Sequence, residues 1–352
     1  MNDAVAGSVP SPSVDGLPER PAAAGAGARQ TWMDAIRGTA ILLMLLLHAT
    51  MIPAVVGGME PVPWLVAITD ATAPFRMPVL MFLSGMLLDR ALAKPAKRYL
   101  SGKFRVLLWS YVVWAVVYFM VMGRPGELFR PWTWVQTLYL WFLAFLLAYY
   151  VLALVLRRIP AIVVAVAALV PHVVLVGAER GFLARFFLYM TVFFAGAAFT
   201  RFLAARPGIL EPRRRDGHLL VGLPLLVVGV VAIRSGGALP HPAGAVVGAV
   251  AAVAVAMGLV LVVQALVPRP RGPLVRVGQQ SLVYYCVHYP VMVLVVRLGE
   301  RLSWDVVVVS LVSLVAAVVV CAVIAEGRDR VPVLDALFRA PAPPRRRRPV
   351  TH

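Results

Sequence analysis

The chain has 352 residues, of which 61% are hydrophobic and 14% are charged, and its mean hydropathy is +0.84. No soluble core needs so much apolar sequence, and the continuous apolar runs also exclude the alternating strands of a β-barrel. A formal net charge of +18 would suit a nucleic-acid-binding protein. The basic residues lie between the apolar runs, however, so membrane topology and contact with anionic lipid explain them better, and no nucleic-acid partner is predicted.

The apolar runs predict ten transmembrane helices, because each run approaches the ~20 residues that a helix needs to cross the hydrocarbon core. We place the helices at residues 36–56, 66–88, 104–122, 134–156, 160–177, 182–203, 218–233, 243–267, 281–298 and 305–325. The predicted fold is therefore an all-α, polytopic integral-membrane bundle. We divide the chain into a disordered cytoplasmic tail (1–30), a ten-helix membrane domain (31–330) and a basic disordered cytoplasmic tail (331–352).

The distribution of Lys and Arg predicts how the bundle lies in the membrane, since cytoplasmic loops carry an excess of these residues. With the N-terminus inside, 26 of the 34 basic residues fall on the inner side and seven on the outer side, and Arg76 lies within a helix. We therefore expect both termini to be cytoplasmic. Arginine outnumbers lysine by 31 to three, which suggests a GC-rich bacterial genome and thus a bacterial cytoplasmic membrane.

The first predicted helix carries two basic side chains on one face. Arg37 and His48 are eleven residues apart, which returns to within about 20° of the same face after a rise of about 16 Å. Asp34, one turn before Arg37, is placed to pair with it. A histidine exchanges protons near neutral pH, and an arginine binds phosphate or carboxylate, so the pair suits an anionic cytoplasmic cosubstrate. The alternative is a packing histidine and an arginine that only orients the helix.

The second predicted helix contains Arg76 between Pro74 and Pro78. Prolines open the backbone of a transmembrane helix, and such irregularity is tolerated where it lines a cavity or is buried in protein. We therefore expect Arg76 to face an internal cavity. The alternative is an ion pair with Asp70 or with an acid on another helix.

Three further polar side chains lie at membrane depth: Ser84 on helix two, and Tyr285 and His288 on helix nine. Each has a packing alternative, because Ser84 with Gly85 also suits a close helix contact and a buried histidine is often a core residue. Both cysteines lie in apolar runs and are interpreted as packing residues, and no metal-ligand spacing is present.

Four segments together resemble the membrane acyltransferase 3 family. Residues 32–41 (WMDAIRGTAI), continuing to His48, resemble its opening signature, and three later blocks follow in the family's order: residues 75–85 (FRMPVLMFLSG), 140–143 (LWFL) and 281–288 (SLVYYCVH). One stretch departs from the family, since many relatives carry an arginine pair ahead of helix three where this chain has Lys103, Phe104 and Arg105.

The resemblance implies a ten-helix enzyme that moves an acyl group, commonly acetyl, from cytoplasmic acyl-CoA to a hydroxyl of a carbohydrate, glycolipid or glycosylated metabolite. Acyl-CoA is then a cosubstrate, and no bound cofactor is expected. Arg37 and His48 match the family's functional pair and are the expected catalytic residues. The expected substrate-binding residues are Asp34, Arg76, Ser84, Tyr285 and His288.

Two other classes of protein stay open from the sequence. Ten helices and a proline-broken helix two also suit a transporter or exporter of a polyol or glycoside, although no repeated halves are evident. A non-catalytic membrane scaffold fits less well, because arginines and a histidine at membrane depth are costly without a function. No serine or cysteine has the context of a nucleophile, so direct acyl transfer is favoured over an acyl-enzyme.

Overall fold

The computed structural model describes residues 30–130, 133–134, 139–206, 215–267 and 269–341, and from Thr31 onward the described chain belongs to one compact unit. This part of the chain is helical and contains no strand. The helices are α1 (Thr31–Gly57), α2 (Pro63–Thr72), α3 (Met77–Met86), α4 (Leu88–Leu92), α5 (Ala96–Lys103), α6 (Trp109–Val121), α7 (Trp141–Val155), α8 (Ala161–Gly177), α9 (Gly181–Ala204), α10 (Arg215–Gly236), α11 (Ala243–Leu266), α12 (Pro273–Gln279), α13 (Ser281–Arg301), α14 (Val306–Gly327) and α15 (Pro332–Ala336).

Eight helical segments in the described residues are long and apolar enough to cross a membrane. They are Thr31–Gly57, Pro63–Met86, Ala96–Val121, Gly181–Ala204, Arg215–Gly236, Ala243–Leu266, Ser281–Arg301 and Val306–Gly327. Two shorter apolar helices, α7 with 15 residues and α8 with 17, lie where we predicted helices four and five. The all-α, polytopic membrane fold is confirmed, whereas the total of ten spans and the cytoplasmic position of both termini stay predictions.

The second membrane segment is broken where its prolines predicted a break. Helix α2 ends at Thr72, a 3₁₀ turn follows at Ala73–Phe75, and α3 begins at Met77. Arg76 lies between them with φ −98° and ψ −102°, outside the helical region. Pro74 lies in the first turn of the 3₁₀ segment, and Pro78 lies in the first turn of α3. Amides in a first turn have no helical hydrogen-bond partner, so proline is tolerated there. The break therefore sets the position of Arg76 between two half-helices.

Helix α1 lies at the centre of the bundle and contacts α2, α3, α11, α12, α13 and α14. Glycine allows the closest of these approaches. A β-carbon at Gly38 would overlap the carbonyl oxygen of Leu274 on α12, and one at Gly278 would overlap the carbonyl oxygen of Asp34. Helices α3 and α9 meet in the same manner, because Gly85 faces the backbone of Phe193. The residues of α1 are thus held tightly against α12.

The segment after α14 differs from our expectation that a disordered tail starts at residue 331. It forms α15, and Phe338 behind it is 0% exposed and stacks on Trp114 at a centroid distance of 5.4 Å. Hydrogen bonds tie this segment to the π-helical turn Phe104–Leu108 and the start of α6: Ala340 N donates to Arg105 O (2.9 Å), and Ser110 Oγ donates to Phe338 O (2.9 Å). An aromatic anchor and backbone pairing override the local composition. Residues 1–29 and 342–352, to which the two tail predictions also apply, lie outside the described residues.

Candidate active site

His48 lies in the middle of α1 and has a defined tautomer. Its Nδ1 is 3.0 Å from the carbonyl oxygen of Met44, one turn earlier. A carbonyl oxygen only accepts hydrogen bonds, so Nδ1 carries the hydrogen and Nε2 presents a lone pair. The side chain is half-buried. An imidazole with a fixed ring and a basic Nε2 has the form that a general base requires.

His288 on α13 lies directly beside His48. The two ring centroids are 4.9 Å apart and the rings are tilted by 50°. Nδ1 of His288 donates to Tyr284 O at 2.9 Å, so this ring too presents Nε2 as an acceptor. The side chain is 0% exposed, and its Nε2 has no hydrogen-bond partner among the described residues. The structure thus brings together two histidines from distant parts of the chain.

Tyrosines form one wall of this histidine pair. Tyr139 stacks on Tyr289 at 4.7 Å, and Tyr289 in turn meets His48 edge-on at 5.8 Å. Tyr139 donates to Cys286 O (3.2 Å), and the Tyr285 hydroxyl donates to Tyr139 O. Tyr285 therefore joins α13 to the residues before α7, and its role in substrate binding stays a prediction.

Sequence reasoning missed two members of this wall. Tyr139 immediately precedes the third family block, and Tyr289 immediately follows the last one. Their position beside these blocks is the one signal in the sequence that points to them. The stacking of one ring on the other depends on helix packing, which the spacing of residues within one helix does not describe.

Arg76 is buried near the same pair. Its side chain is 8% exposed and donates one hydrogen bond, from Nη1 to Thr69 O at 2.9 Å. The charge of Arg76 acts on His48, so the guanidinium lies within electrostatic reach of the base. The described residues record no ion pair between Arg76 and Asp70, although the charge of Asp70 also acts on Arg76. The break in the second segment therefore brings a cation close to His48.

Asp34 and Arg37 form an ion pair at the start of α1, with an oxygen-to-nitrogen distance of 3.7 Å. Asp34 is 2% exposed, and Gln279 Nε2 donates to its other oxygen at 3.4 Å. This is the pairing that the helical spacing predicted. The buried carboxylate holds the Arg37 side chain, of which 21% remains exposed, so Arg37 is the member of the pair that a soluble anion reaches.

A basic cavity of about 310 Å³ is lined by residues of α4, α5, the turn Phe104–Leu108 and α7. Its lining includes Lys94, Arg98 and Lys103, and the Nζ atom of Lys103 stands 3.3 Å above the ring of Tyr150. Arg37 is not one of the residues that line the cavity, but its charge acts on both Lys103 and Tyr150, so it lies within electrostatic reach of the cavity. We predicted no role for Lys103 from the sequence. In the structure Lys103 shares the lining of this cavity with two other cations, Lys94 and Arg98.

Ser84 is not among the side chains recorded in contact with the two histidines. Its hydroxyl donates to Leu80 O at 2.8 Å, within its own helix, while Gly85 beside it makes the close contact with α9. This arrangement favours the helix-packing alternative for these two residues. In the described part of the chain, no group of three or more His, Cys, Asp or Glu side chains is placed to hold a metal ion.

Comparison with known proteins identifies the family of the chain. No curated protein and no solved structure gives a significant match. The family model of the acyltransferase 3 proteins, described as "Acyltransferase domain", matches residues 30–326, which include α1 through almost all of α14. The match covers both histidines, Arg37, Arg76 and the basic cavity. The chain therefore belongs to the acyltransferase 3 family and is a membrane acyltransferase.

Proposed function

We propose that this protein is an O-acyltransferase of the bacterial cytoplasmic membrane. It moves an acyl group, in the first instance acetyl, from cytoplasmic acyl-CoA to a hydroxyl of a carbohydrate, glycolipid or glycosylated metabolite. The observation that carries the proposal is the fixed tautomer of His48, whose Nδ1–H is held by Met44 O while Nε2 is left as a base. Membership of an acyltransferase family supports acyl transfer as the reaction in which this base acts.

The proposed reaction is a direct transfer. Nε2 of His48 removes the proton from the acceptor hydroxyl, and the oxygen of that hydroxyl attacks the carbonyl carbon of the thioester. The tetrahedral intermediate then collapses, the carbon–sulfur bond breaks, and the proton on Nε2 passes to the sulfur of the departing CoA. One ester and one free thiol result. No residue becomes acylated, which agrees with the lack of a serine or cysteine in a nucleophile context.

The basic cavity supports acyl-CoA as the donor. Coenzyme A carries several phosphate charges. Lys94, Arg98 and Lys103 line one cavity, and the charge of Arg37, near the start of α1, acts on Lys103. Arginine binds phosphate in a bidentate manner, and lysine binds it as a point charge. In this proposal the phosphates occupy the cavity, and the flexible thiol arm runs along α1 towards His48.

Arg76 supports the chemical step in the same proposal. Negative charge develops on the thioester carbonyl oxygen in the transition state, and a fixed cation in a poorly hydrated site stabilises it. In this proposal Arg76, which donates to Thr69 O and whose charge acts on His48, faces the carbonyl oxygen when the thioester is next to the base.

The experiment that tests the proposal measures free thiol released by the purified, detergent-solubilised protein. Acetyl-CoA is offered with a panel of sugars, glycosides and glycolipids, and wild type is compared with His48→Ala. His241→Ala is the matched control, because His241 is an exposed histidine that contacts Val173 O. We expect acceptor-dependent release from wild type and from the control, and none above background from His48→Ala. Full activity of His48→Ala contradicts the mechanism.

A further inference from the structure

The Nε2 atom of His288 is buried without a hydrogen-bond partner in the described residues. The side chain is 0% exposed, and its Nδ1 is engaged by Tyr284 O at 2.9 Å. Buried acceptors in proteins are almost always paired, because an unpaired one has lost its hydrogen bonds to water without replacement. An unpaired acceptor kept beside the proposed base indicates a donor that is present at another stage of the reaction.

Two neighbouring tyrosines, Tyr139 and Tyr285, use their hydroxyl hydrogens elsewhere and do not supply this donor. The Tyr139 hydroxyl donates to Cys286 O at 3.2 Å, and the Tyr285 hydroxyl donates to Tyr139 O. A substrate hydroxyl does not supply it either, because Nε2 of His288 is inaccessible in this structure. Our expectation that His288 binds substrate directly therefore does not follow from its position.

His48 is placed to supply the donor. Both rings use Nδ1 for a carbonyl of their own helix, so each has only Nε2 left. Two neutral rings then offer two lone pairs, which do not bond to each other. One added proton joins them as N–H···N. Because ring nitrogens lie on the rim of each ring, centroids 4.9 Å apart allow an approach to hydrogen-bond distance, about 3 Å.

We propose that His288 is a positioning residue for acyl transfer, which accepts a hydrogen bond from Nε2–H of His48 after His48 has taken the proton of the acceptor hydroxyl. This inference rests on the proposed function. The proton leaves the acceptor oxygen for Nε2 of His48, whose N–H points towards the reacting atoms and is shared with Nε2 of His288 while the tetrahedral intermediate exists. It passes to the CoA sulfur when the carbon–sulfur bond breaks. His288 acts through His48 and does not touch the acceptor.

Three substitutions at His288 in the full-length protein test this role. His288→Phe fills the space without an acceptor, His288→Asn reproduces the Nδ1 position only, and the longer amide of His288→Gln reaches the Nε2 position. We expect kcat to fall about 10- to 100-fold in the Phe and Asn variants, the effect of losing a hydrogen bond to a charged group. The KM for acetyl-CoA stays unchanged, and the Gln variant recovers a large part of kcat.

A purely structural role predicts the opposite order, because phenylalanine packs in an apolar core better than glutamine does. Equal or higher kcat in the Phe variant than in the Gln variant therefore overturns the inference. If the Phe variant does not fold, the Gln and Asn variants are compared instead. A kcat of the Asn variant equal to or higher than that of the Gln variant then overturns the inference. Thermal unfolding of each variant separates lost catalysis from lost structure.

Two further variants complete the test. Tyr289→Phe removes a nearby hydroxyl for which the described residues record no partner; a loss of kcat as large as in His288→Phe would make Tyr289 the donor and overturn the inference. His172→Phe is the matched control, since His172 is also buried and its Nδ1 also bonds a carbonyl, that of Ala184. Wild-type protein without acceptor-dependent thiol release contradicts the proposed function itself, whereas active wild type with unaffected His288 variants contradicts only this inference.

Discussion

The close contact of α1 with α12 predicts that one methyl group at Gly38 impairs the protein. A β-carbon there would lie 3.1 Å from the carbonyl carbon of Leu274 and 3.2 Å from Gly278 N, and it would overlap the Leu274 oxygen. The facing atoms are backbone, which moves only with its helix. Overpacking of this kind costs about 1–3 kcal/mol. The better helix propensity of alanine offsets about 1 kcal/mol of that cost.

The matched control is Gly248→Ala in α11. Gly248 is also inside a helix, but a β-carbon there would meet nothing within 4 Å. Only the propensity gain remains, so we expect Gly248→Ala to be more stable than wild type by about 0.5–1 kcal/mol. The same chemical change therefore has opposite effects at the two positions. Thermal unfolding of both variants in one detergent measures the difference.

The Gly38 variant also reports on function. Arg37 precedes Gly38, and Gln279 on α12 donates to Asp34, so a separation of the two helices displaces the Asp34–Arg37 pair. We expect the KM for acetyl-CoA to rise about tenfold, equal to about 1.4 kcal/mol of lost binding. Equal shifts of Tm in the Gly38 and Gly248 variants, or a lowered Tm with an unchanged KM in the Gly38 variant, would refute this reasoning.

Three other substitutions have distinct expected outcomes. Lys103→Gln removes one cation from the basic cavity, so the KM for acetyl-CoA rises about five- to tenfold while kcat stays near wild type, as initial-rate kinetics would show. Arg76→Gln lowers kcat about 10²-fold with little change in KM, because the cation acts on charge that develops in the transition state; a change in KM alone contradicts that role. Phe338→Ala removes a fully buried ring stacked on Trp114 and lowers the free energy of unfolding by about 3–5 kcal/mol; a denaturation midpoint equal to that of wild type contradicts the anchoring role.

Features that depend on one helix could be predicted from the sequence. The ion pair of Asp34 and Arg37 follows from helical spacing, because residues three apart meet on the same face. The break at Arg76 follows from two flanking prolines, whose rings interrupt the helical hydrogen bonds. Both predictions need only the geometry of a few neighbouring residues.

Features that depend on how helices pack could not be predicted in this way. The contact of His48 with His288 exists because α1 and α13 lie side by side, and no spacing within either helix encodes that contact. Lys103 shows the same limit, since a cation in a loop sequence indicates sidedness but not that it converges with others on a cavity. Phe338 shows that the same limit applies to the prediction of disorder. A segment rich in Pro, Ala and Arg is held in place by a single aromatic ring and the hydrogen bonds around it.

The attachment of residues 332–341 to α6 has a consequence for how the protein is made. Synthesis proceeds from the N-terminus, so α5 and α6 enter the membrane long before the segment that covers them exists. Until then Arg105 O lacks the amide of Ala340, and Trp109 Nε1 lacks its bond to Ala336 O. Assembly of the bundle is therefore completed by the last of the described residues to leave the ribosome. A chain that ends at residue 331 contains every long membrane helix found in the described residues, yet this closing contact is still missing.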